Sequence, residues 1–215
     1  MRQYEFRFRA WGGRREGAGR RPAPGRRRVT HRPRPPLAVH APAHVTLRRA
    51  ARLPSLRDGA LFPAVRDALA GASTDAFRVL HWSVQADHVH LVVEADRGAF
   101  VRGCQGLAIR VAKAVNRTLR RRGAVWGDRY HARSLTTPRA VRNALVYVLA
   151  NWKKHQPGAR GVDPRSSGRW FDGWRISIPR PAGAAGVAVA RTWLARVGWR
   201  RHGLVDVREV PRRAP

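Results

Sequence analysis

Two histidines spaced one residue apart, His88 and His90, are the side chains here whose spacing most directly suggests chemistry. Val89, Leu91 and Val93 alternate with them, which is the pattern of a half-buried strand. Because successive side chains of a strand point to opposite faces, both imidazoles fall on one face and could hold a divalent metal ion. Taken alone, the pair favours polar residues on the open face of a strand, since a metal site needs further ligands.

A tyrosine away from the apolar stripe of its helix is the second unusual feature. Thr137 followed by Pro138 is typical of a helix start, and the pattern predicts a helix from there to about Lys154. Tyr147 and Asn151 lie on a separate polar stripe, about 130° from the apolar one at 100° per residue. A core tyrosine would share the apolar stripe, so Tyr147 either takes part in chemistry or occupies a surface or an interface.

Periodicity outlines the elements that would position these side chains. It predicts strands and helices over residues 38–49 (strand), 55–71 (helix), 76–85 and 86–94 (a hairpin), 98–122 (helix), 133–136 (a short strand), 137–154 and 187–199 (helices). From residue 37 to 155 this order fits an α+β fold, a ferredoxin-like split βαβ sandwich with an antiparallel sheet and two helices on one face. The valine side of the histidine strand would face those helices, and the helix of Tyr147 would cover the other side.

The net charge of the chain favours some classes of binding partner over others. Among 215 residues, 44 Lys and Arg face 13 Asp and Glu, and the net charge of +31 would attract polyanions, above all nucleic acid. A membrane surface fits less well, since no helix sets a wholly basic face against a wholly apolar one. No apolar run reaches the length of a membrane span, and the N-terminus lacks an apolar signal core, so we expect a cytoplasmic, nucleoid-associated protein. The single cysteine, Cys104, excludes an internal disulfide and falls on an apolar helical stripe.

Composition divides the chain into three parts. Residues 1–36 carry twelve Arg against two Glu and cannot bury enough apolar surface to fold alone. They predict a disordered tail that is either a solvated basic segment or an arm that follows phosphates with Arg14, Arg15, Arg20 and Arg21. Residues 37–156 would form the folded domain, and residues 157–215 a C-terminal extension with a tryptophan cluster and a short helix.

Between residues 98 and 142 there are eleven basic residues and one acid, Asp128. A charge run is commonly a solvated face, but one this unbalanced would repel itself without a polyanion. The loop over residues 126–133 mixes aromatic and cationic side chains, which suits stacking and phosphate contact with single strands. We therefore expect nucleic-acid contacts from Arg110, Lys113, Arg117, Arg129, Tyr130, His131 and Arg133.

The order of several short motifs resembles one protein family, the REP-associated tyrosine transposases, which are single-tyrosine HUH transposases. The motifs are residues 11–20 (WGGRREGAGR), 44–48 (HVTLR), 87–94 (DHVHLVVE), 126–133 (WGDRYHAR), 147–151 (YVLAN) and 166–174 (SSGRWFDGW). Together they span most of the chain. Members of this family cleave single-stranded DNA at repeated extragenic palindromes that fold into hairpins.

The resemblance implies that residues 37–156 are an HUH transposase-like catalytic domain, and it implies a role for each site residue. His88 and His90 would ligate Mg²⁺ or Mn²⁺, and Tyr147 would be the nucleophile that forms a 5′-phosphotyrosine. Asn151 would be a third metal ligand, although related transposases often carry Gln at that position. Glu94, on the same strand face as the histidines, is the alternative third ligand.

Other interpretations remain open at this stage. A non-catalytic DNA- or RNA-binding protein on the same fold, a decayed transposase, suits the +31 charge equally well. A metalloenzyme for small molecules fits poorly, because few carboxylates are available as general bases. The sequence also leaves open whether the chain forms a homodimer, and whether Tyr147 would work in its own subunit or in a partner.

Overall fold

An antiparallel sheet of four strands organises the computed structural model, which describes residues 38, 40–156, 158–182 and 186–211. The strands are β1 (Ala43–Arg48), β2 (Phe77–Val84), β3 (His88–Ala95) and β4 (His131–Ser134). They lie in the order β2-β3-β1-β4, and every neighbouring pair is antiparallel. Helix α1 (Leu61–Ala70) follows β1 and helix α2 (Ala99–Thr118) follows β3, which confirms the predicted α+β, ferredoxin-like fold.

The alternation of β3 separates the two faces of the sheet. Val89, Leu91 and Val93 are almost fully buried and pack on the side that carries α1 and α2. The helices complete this core with apolar side chains spaced at three and four residues, namely Phe62, Val65, Leu69, Cys104, Leu107, Val111 and Val115. The opposite side chains of β3, including both histidines, therefore face the second side of the sheet.

Helix α3 (Pro138–Ala150) covers part of that second side. The hydroxyl of Thr137 accepts a hydrogen bond from the amide of Ala140 at 3.1 Å, and Pro138 occupies the first turn, so the helix begins where the sequence predicts. Its apolar stripe packs against Val92 of the sheet. Asn151 keeps a helical backbone, which carries the chain on into helix α4 (Trp152–His155).

The C-terminal segment packs behind α3. Phe171, Trp174 and Trp199 form a group of contacting rings in the core on this side of the sheet. The guanidinium of Arg142 on α3 pairs with the carboxylate of Glu209 at 2.8 Å. The helix that carries Tyr147 is thus held between the sheet and residues that follow it by more than twenty positions.

Several predicted elements have different bounds in the structure, and three of them differ most clearly. Strand β4 begins at His131, two residues before the predicted start, because its pairing with β1 sets its position. Helix α1 begins at Leu61, and the predicted helix over residues 187–199 is reduced to α5 (Trp193–Arg196) followed by a 3-10 turn (Gly198–His202). In this last segment the amide of Ala188 donates to the carbonyl of Val79 in β2, and the amides of residues 191 and 192 donate to Glu94. These tertiary hydrogen bonds keep residues 187–192 out of a helix, where periodicity alone predicted one.

In the described ranges, no helix has both the length and the apolar composition needed to cross a membrane.

Candidate active site

The pairing of β1 with β3 places a third histidine, His44, beside His88 and His90. Thr46 lies directly opposite His90, and His44 lies two residues further along the same face. The rings of His44 and His90 stack with centroids 5.1 Å apart, and the rings of His88 and His90 meet edge to face at 4.4 Å. Three imidazoles therefore form a contiguous row on the side of the sheet opposite α1 and α2.

His90 is the most enclosed of the three, with 4% of its surface exposed. Its Nδ1 lies 3.0 Å from Oγ1 of Thr46 and 3.2 Å from Nε2 of His44. Its Nε2 is buried and has no hydrogen-bond partner among the residues that the structure describes. Burial, followed by the neighbouring His88 and His44, lowers the pKa of His90 to about 2, so the ring is neutral at physiological pH.

His88 has a charged partner instead. Its Nδ1 lies 2.6 Å from Oδ1 of Asp87, and the other carboxylate oxygen of Asp87 accepts from Arg48 at 2.9 Å. A proton on Nδ1 leaves the lone pair on Nε2, the tautomer that a metal-ligating histidine adopts. Burial lowers the pKa of His88 and outweighs the opposing effect of Asp87, so this imidazole is also biased towards its neutral form.

Helix α3 places Tyr147 over this row. The phenol ring meets His90 edge to face with centroids 4.9 Å apart, and it meets His44 in the same way at 5.6 Å. The Nζ of Lys154 lies 4.9 Å from the centre of the same ring. Burial raises the pKa of Tyr147, so the side chain is a neutral phenol at physiological pH.

Asn151 lies one helical turn beyond Tyr147, with only 1% of its surface exposed. Within the described ranges, neither its amide oxygen nor its amide nitrogen has a hydrogen-bond partner. His155, a further turn along, approaches His88 with ring centroids 6.2 Å apart. Because residues four apart share one helical face, Asn151 lies between two side chains that both contact the histidine row.

These residues fit a divalent cation. The neighbouring imidazoles of His88 and His90, both with lowered pKa, and the buried, unpartnered amide of Asn151 are nitrogen and oxygen donors of the kind that divalent cations accept. In the described part of the chain, no group of three His, Cys, Asp or Glu side chains is arranged to hold a metal ion. A site of three protein ligands here would therefore need the Asn151 amide.

The alternative ligand Glu94 is engaged elsewhere, which corrects its place in the sequence-based hypothesis. Oε1 accepts from the amide of Thr192 at 2.9 Å, and Oε2 accepts from the amide of Arg191 at 2.8 Å and from Arg78 at 3.4 Å. Although Glu94 shares a strand face with both histidines, its carboxylate anchors the C-terminal segment to the sheet.

The residues predicted to contact nucleic acid are distributed over different surfaces. Arg110, Lys113 and Arg117 are exposed on α2, in the helical layer on the far side of the sheet from Tyr147. His131 and Arg133 are exposed on β4, where they lie opposite Thr46 and His44 and so share the face of the site. Arg129 is exposed in the loop before β4, whereas Arg14, Arg15, Arg20 and Arg21 lie outside the described residues.

The structure contradicts the role predicted for Tyr130. Its side chain is 7% exposed and packs into the core between the sheet and the two helices, with its ring 6.1 Å from that of Phe100. A buried ring is not available to stack on a base. The mixed composition of its loop suggested exposure, but burial of an aromatic side chain in the adjoining core decides its position.

Sequence reasoning missed four residues around the site, namely His44, Thr46, Asp87 and His155. The first two belong to the motif at residues 44–48, and their alternation on a strand was the available signal for a shared face. His155 lies eight residues after Tyr147, a spacing that returns to the same helical face. The partnership of Asp87 with its neighbour His88 depends on local side-chain geometry that periodicity does not express.

No family model and no curated protein matches the chain. Among solved structures, the fold is similar to that of a REP-associated tyrosine transposase determined with a bound REP hairpin. The sequence identity is 17% and the TM-score 0.49, over 64% of this chain and 82% of that one. A likeness at this level concerns the fold alone.

Proposed function

We propose that this chain is a metal-dependent endonuclease and strand transferase for single-stranded DNA, a transposase that acts on hairpin-forming repeats through a phosphotyrosine intermediate. The observation that carries the proposal is the contact between Tyr147 and His90, whose ring centroids lie 4.9 Å apart. A phenol adjoining two neutral imidazoles and a buried amide has the composition of a nucleophile beside a cation site.

The cation would be held by Nε2 of His88, Nε2 of His90 and the amide oxygen of Asn151. Mg²⁺ or Mn²⁺ bound there would supply positive charge that orients a phosphodiester and offsets the charge of its transition state. The contribution of the protein is to keep both imidazoles neutral by burial and to fix their orientation through Asp87, Thr46 and His44.

Tyr147 would act as the nucleophile. Its Oη forms a bond to phosphorus while the bond from phosphorus to the 3′-oxygen breaks, and the phenol proton balances the proton gained by the 3′-hydroxyl. The phosphodiester is exchanged rather than hydrolysed, so a second 3′-hydroxyl can reverse the step and join strands without ATP. Tyr147 contacts His90 of its own chain, so we expect cleavage to require no second subunit.

Exposed polar and basic side chains on the same face would hold the strand. His131 and Arg133 flank the histidine row on β4, and Arg48 at the end of β1 has a side chain that is 72% exposed. Phosphate contacts of this kind provide affinity and position without reading sequence. The net charge of +31 would add attraction over a longer range.

A labelled hairpin with a single-stranded extension tests the proposal. After incubation with Mn²⁺ or Mg²⁺, denaturing gels should show DNA attached covalently to the wild-type protein and to Tyr130→Phe, which removes a hydroxyl from a tyrosine buried in the core on the other side of the sheet. Tyr147→Phe should bind the hairpin and form no adduct. The absence of an adduct from wild type with a panel of hairpins, together with binding that survives EDTA, would instead establish the non-catalytic nucleic-acid-binding alternative.

That alternative has one observation in its favour. A site built on an asparagine amide is a weaker cation site than one with a carboxylate, and the described residues offer no group of three imidazole, thiolate or carboxylate ligands. Loss of metal binding alone would leave an arginine-rich fold that still binds nucleic acid.

A further inference from the structure

The contacts of the histidine row indicate which nitrogen of each imidazole ring carries the proton. Nδ1 of His90 lies within hydrogen-bond distance of two groups, Oγ1 of Thr46 at 3.0 Å and Nε2 of His44 at 3.2 Å. Its Nε2 is buried and meets no hydrogen-bond partner within the described ranges. One nitrogen of this imidazole therefore has two partners and the other has none, so the two tautomers of the ring differ in free energy.

A proton on Nε2 of His90 would be a buried donor with nothing to receive it. Such orphan donors are rarer in proteins than under-satisfied acceptors, because each loses its hydrogen bond to water and gains none in return. A proton on Nδ1 can instead be donated to the hydroxyl oxygen of Thr46 or to the lone pair of His44. The second arrangement requires that His44 itself carries its proton on Nδ1, because two N–H groups cannot point at each other across 3.2 Å.

We infer that Thr46 and His44 are positioning residues that hold His90 in the Nδ1–H tautomer and thereby keep the lone pair on its buried Nε2. Asp87 holds His88 in the same tautomer through its contact at 2.6 Å. Both histidines of the strand thus present an Nε2 lone pair, one through a carboxylate and the other through a hydroxyl and a third imidazole. The consequence of this tautomer for metal binding rests on the proposed function, whereas the tautomer itself does not.

His44 has a further contact that suits this role. Its ring packs edge to face on Tyr147 at 5.6 Å and stacks on His90 at 5.1 Å, so one side chain contacts both the nucleophile and the ligand. With 7% of its surface exposed, it is enclosed by the sheet and α3. Its position thus couples the orientation of His90 to the position of the helix that carries Tyr147.

Nitrogen NMR on metal-free protein with ¹⁵N-labelled histidine tests the inference directly. Long-range spectra at pH 7 distinguish a protonated from an unprotonated ring nitrogen, and His90 should show a protonated Nδ1 and an unprotonated Nε2. The double variant Thr46→Val with His44→Phe removes both acceptors while preserving shape, and it should shift His90 towards the Nε2–H form. A second double variant, Thr46→Ser with His44→Phe, differs from the first only in having a hydroxyl at position 46. It should restore the wild-type pattern. A wild-type His90 protonated on Nε2 would overturn the inference.

Mn²⁺ affinity, measured by electron paramagnetic resonance, tests the consequence for metal binding. Loss of such supporting contacts typically weakens metal binding by roughly 10- to 100-fold, and we expect a loss in that range for the first double variant. Variants that bind Mn²⁺ as tightly as wild type would refute the positioning role. Wild-type protein that shows the Nδ1–H tautomer but binds no Mn²⁺ would refute the proposed function and leave the tautomer assignment standing. Thermal unfolding of each variant separates these outcomes from misfolding.

Discussion

The phenol ring of Tyr147 meets the imidazole of His90 edge to face, with ring centroids 4.9 Å apart. These residues are 57 positions apart in sequence. His90 lies on β3, and Tyr147 lies on α3, which packs on the face of the sheet that α1 and α2 do not cover. Their contact depends on the cap of α3 at Thr137, which begins the helix, and on the C-terminal aromatic cluster, which packs behind it.

A substitution of Asp87 tests whether its carboxylate orients His88 for metal binding. Partial burial opposes its ionisation, but hydrogen bonds from His88 and Arg48 outweigh that effect and lower the pKa of Asp87 to about 2. Asp87→Asn replaces a charged acceptor with a neutral amide, so we expect Mn²⁺ affinity to fall by roughly tenfold or more. Calorimetric titration against Asp67→Asn, which removes an aspartate paired with Arg66 on the surface of α1, provides the control. Equal affinities in the two variants would show that Asp87 does not orient His88.

Glu94 makes a prediction about stability rather than chemistry. Glu94→Gln removes the buried charge and brings an amide donor against the backbone donors of residues 191 and 192. We expect the free energy of unfolding in urea to fall by about 1–3 kcal/mol, with faster proteolysis in the segment from residue 186. The control is Asp96→Asn, since this exposed carboxylate pairs with the same Arg78 and should change stability by less than about 1 kcal/mol. If the control destabilised the protein as much, the anchoring role of Glu94 would be wrong.

Because α2 and Tyr147 lie on opposite sides of the sheet, substitutions on α2 should change DNA affinity without changing the rate of cleavage. The triple variant Arg110→Gln, Lys113→Gln, Arg117→Gln removes three charges in the layer away from the phenol. If these residues contact single-stranded DNA, the slope of log affinity against log salt should decrease by about 2, at roughly 0.7 per phosphate contact. The cleavage rate of saturated complexes should stay within about twofold of wild type.

Arg133→Gln is the matched variant on the face of the site, since it lies opposite His44 on β4. We expect it to lower both the affinity and the rate of adduct formation at saturation, because it changes the position of the strand beside Tyr147. A triple variant on α2 that slowed cleavage as strongly as Arg133→Gln would contradict the separation of the two surfaces.

Buried histidines predict loss of stability in mild acid. Burial lowers the pKa of both His44 and His81 to about 4, against 6.5 for an ordinary histidine. The unfolded chain therefore takes up these protons as pH falls below about 6.5, whereas the folded protein does not until about pH 4. The free energy of unfolding should decrease over this window by about 1.4 kcal/mol per pH unit for each such histidine and be highest above it.

Urea unfolding at several pH values between 7.5 and 4.5 measures this dependence. His81→Phe keeps an aromatic ring beside Phe171 and should reduce the slope by about one proton. A free energy of unfolding that rises as the pH falls from 6.5 to 5 would show that His81 is not held neutral in the folded protein. A pH dependence of stability that has the same slope in the variant as in wild type would show the same.

Several features of the protein could be predicted from local pattern because they repeat at the period of one element. The alternation in β3 places His88 and His90 on one face and Val89 and Leu91 on the other, whatever the strand pairs with. The displacement of Tyr147 from the apolar stripe of α3 likewise follows from helical geometry alone. Element order was enough to predict the α+β sandwich and the two helices on one face, because short connections leave few ways to arrange these elements.

Other features depended on contacts between residues distant in sequence, and the tertiary structure alone decided them. Strand register places Thr46 and His44 beside His90, and no pattern within β1 specifies that register. Glu94 repeats the spacing of the histidines, yet the docked amides of residues 191 and 192 occupy it; those same bonds keep that segment from forming the predicted helix. Local period determines which face a side chain occupies, whereas packing and hydrogen bonding of distant segments determine its neighbours there.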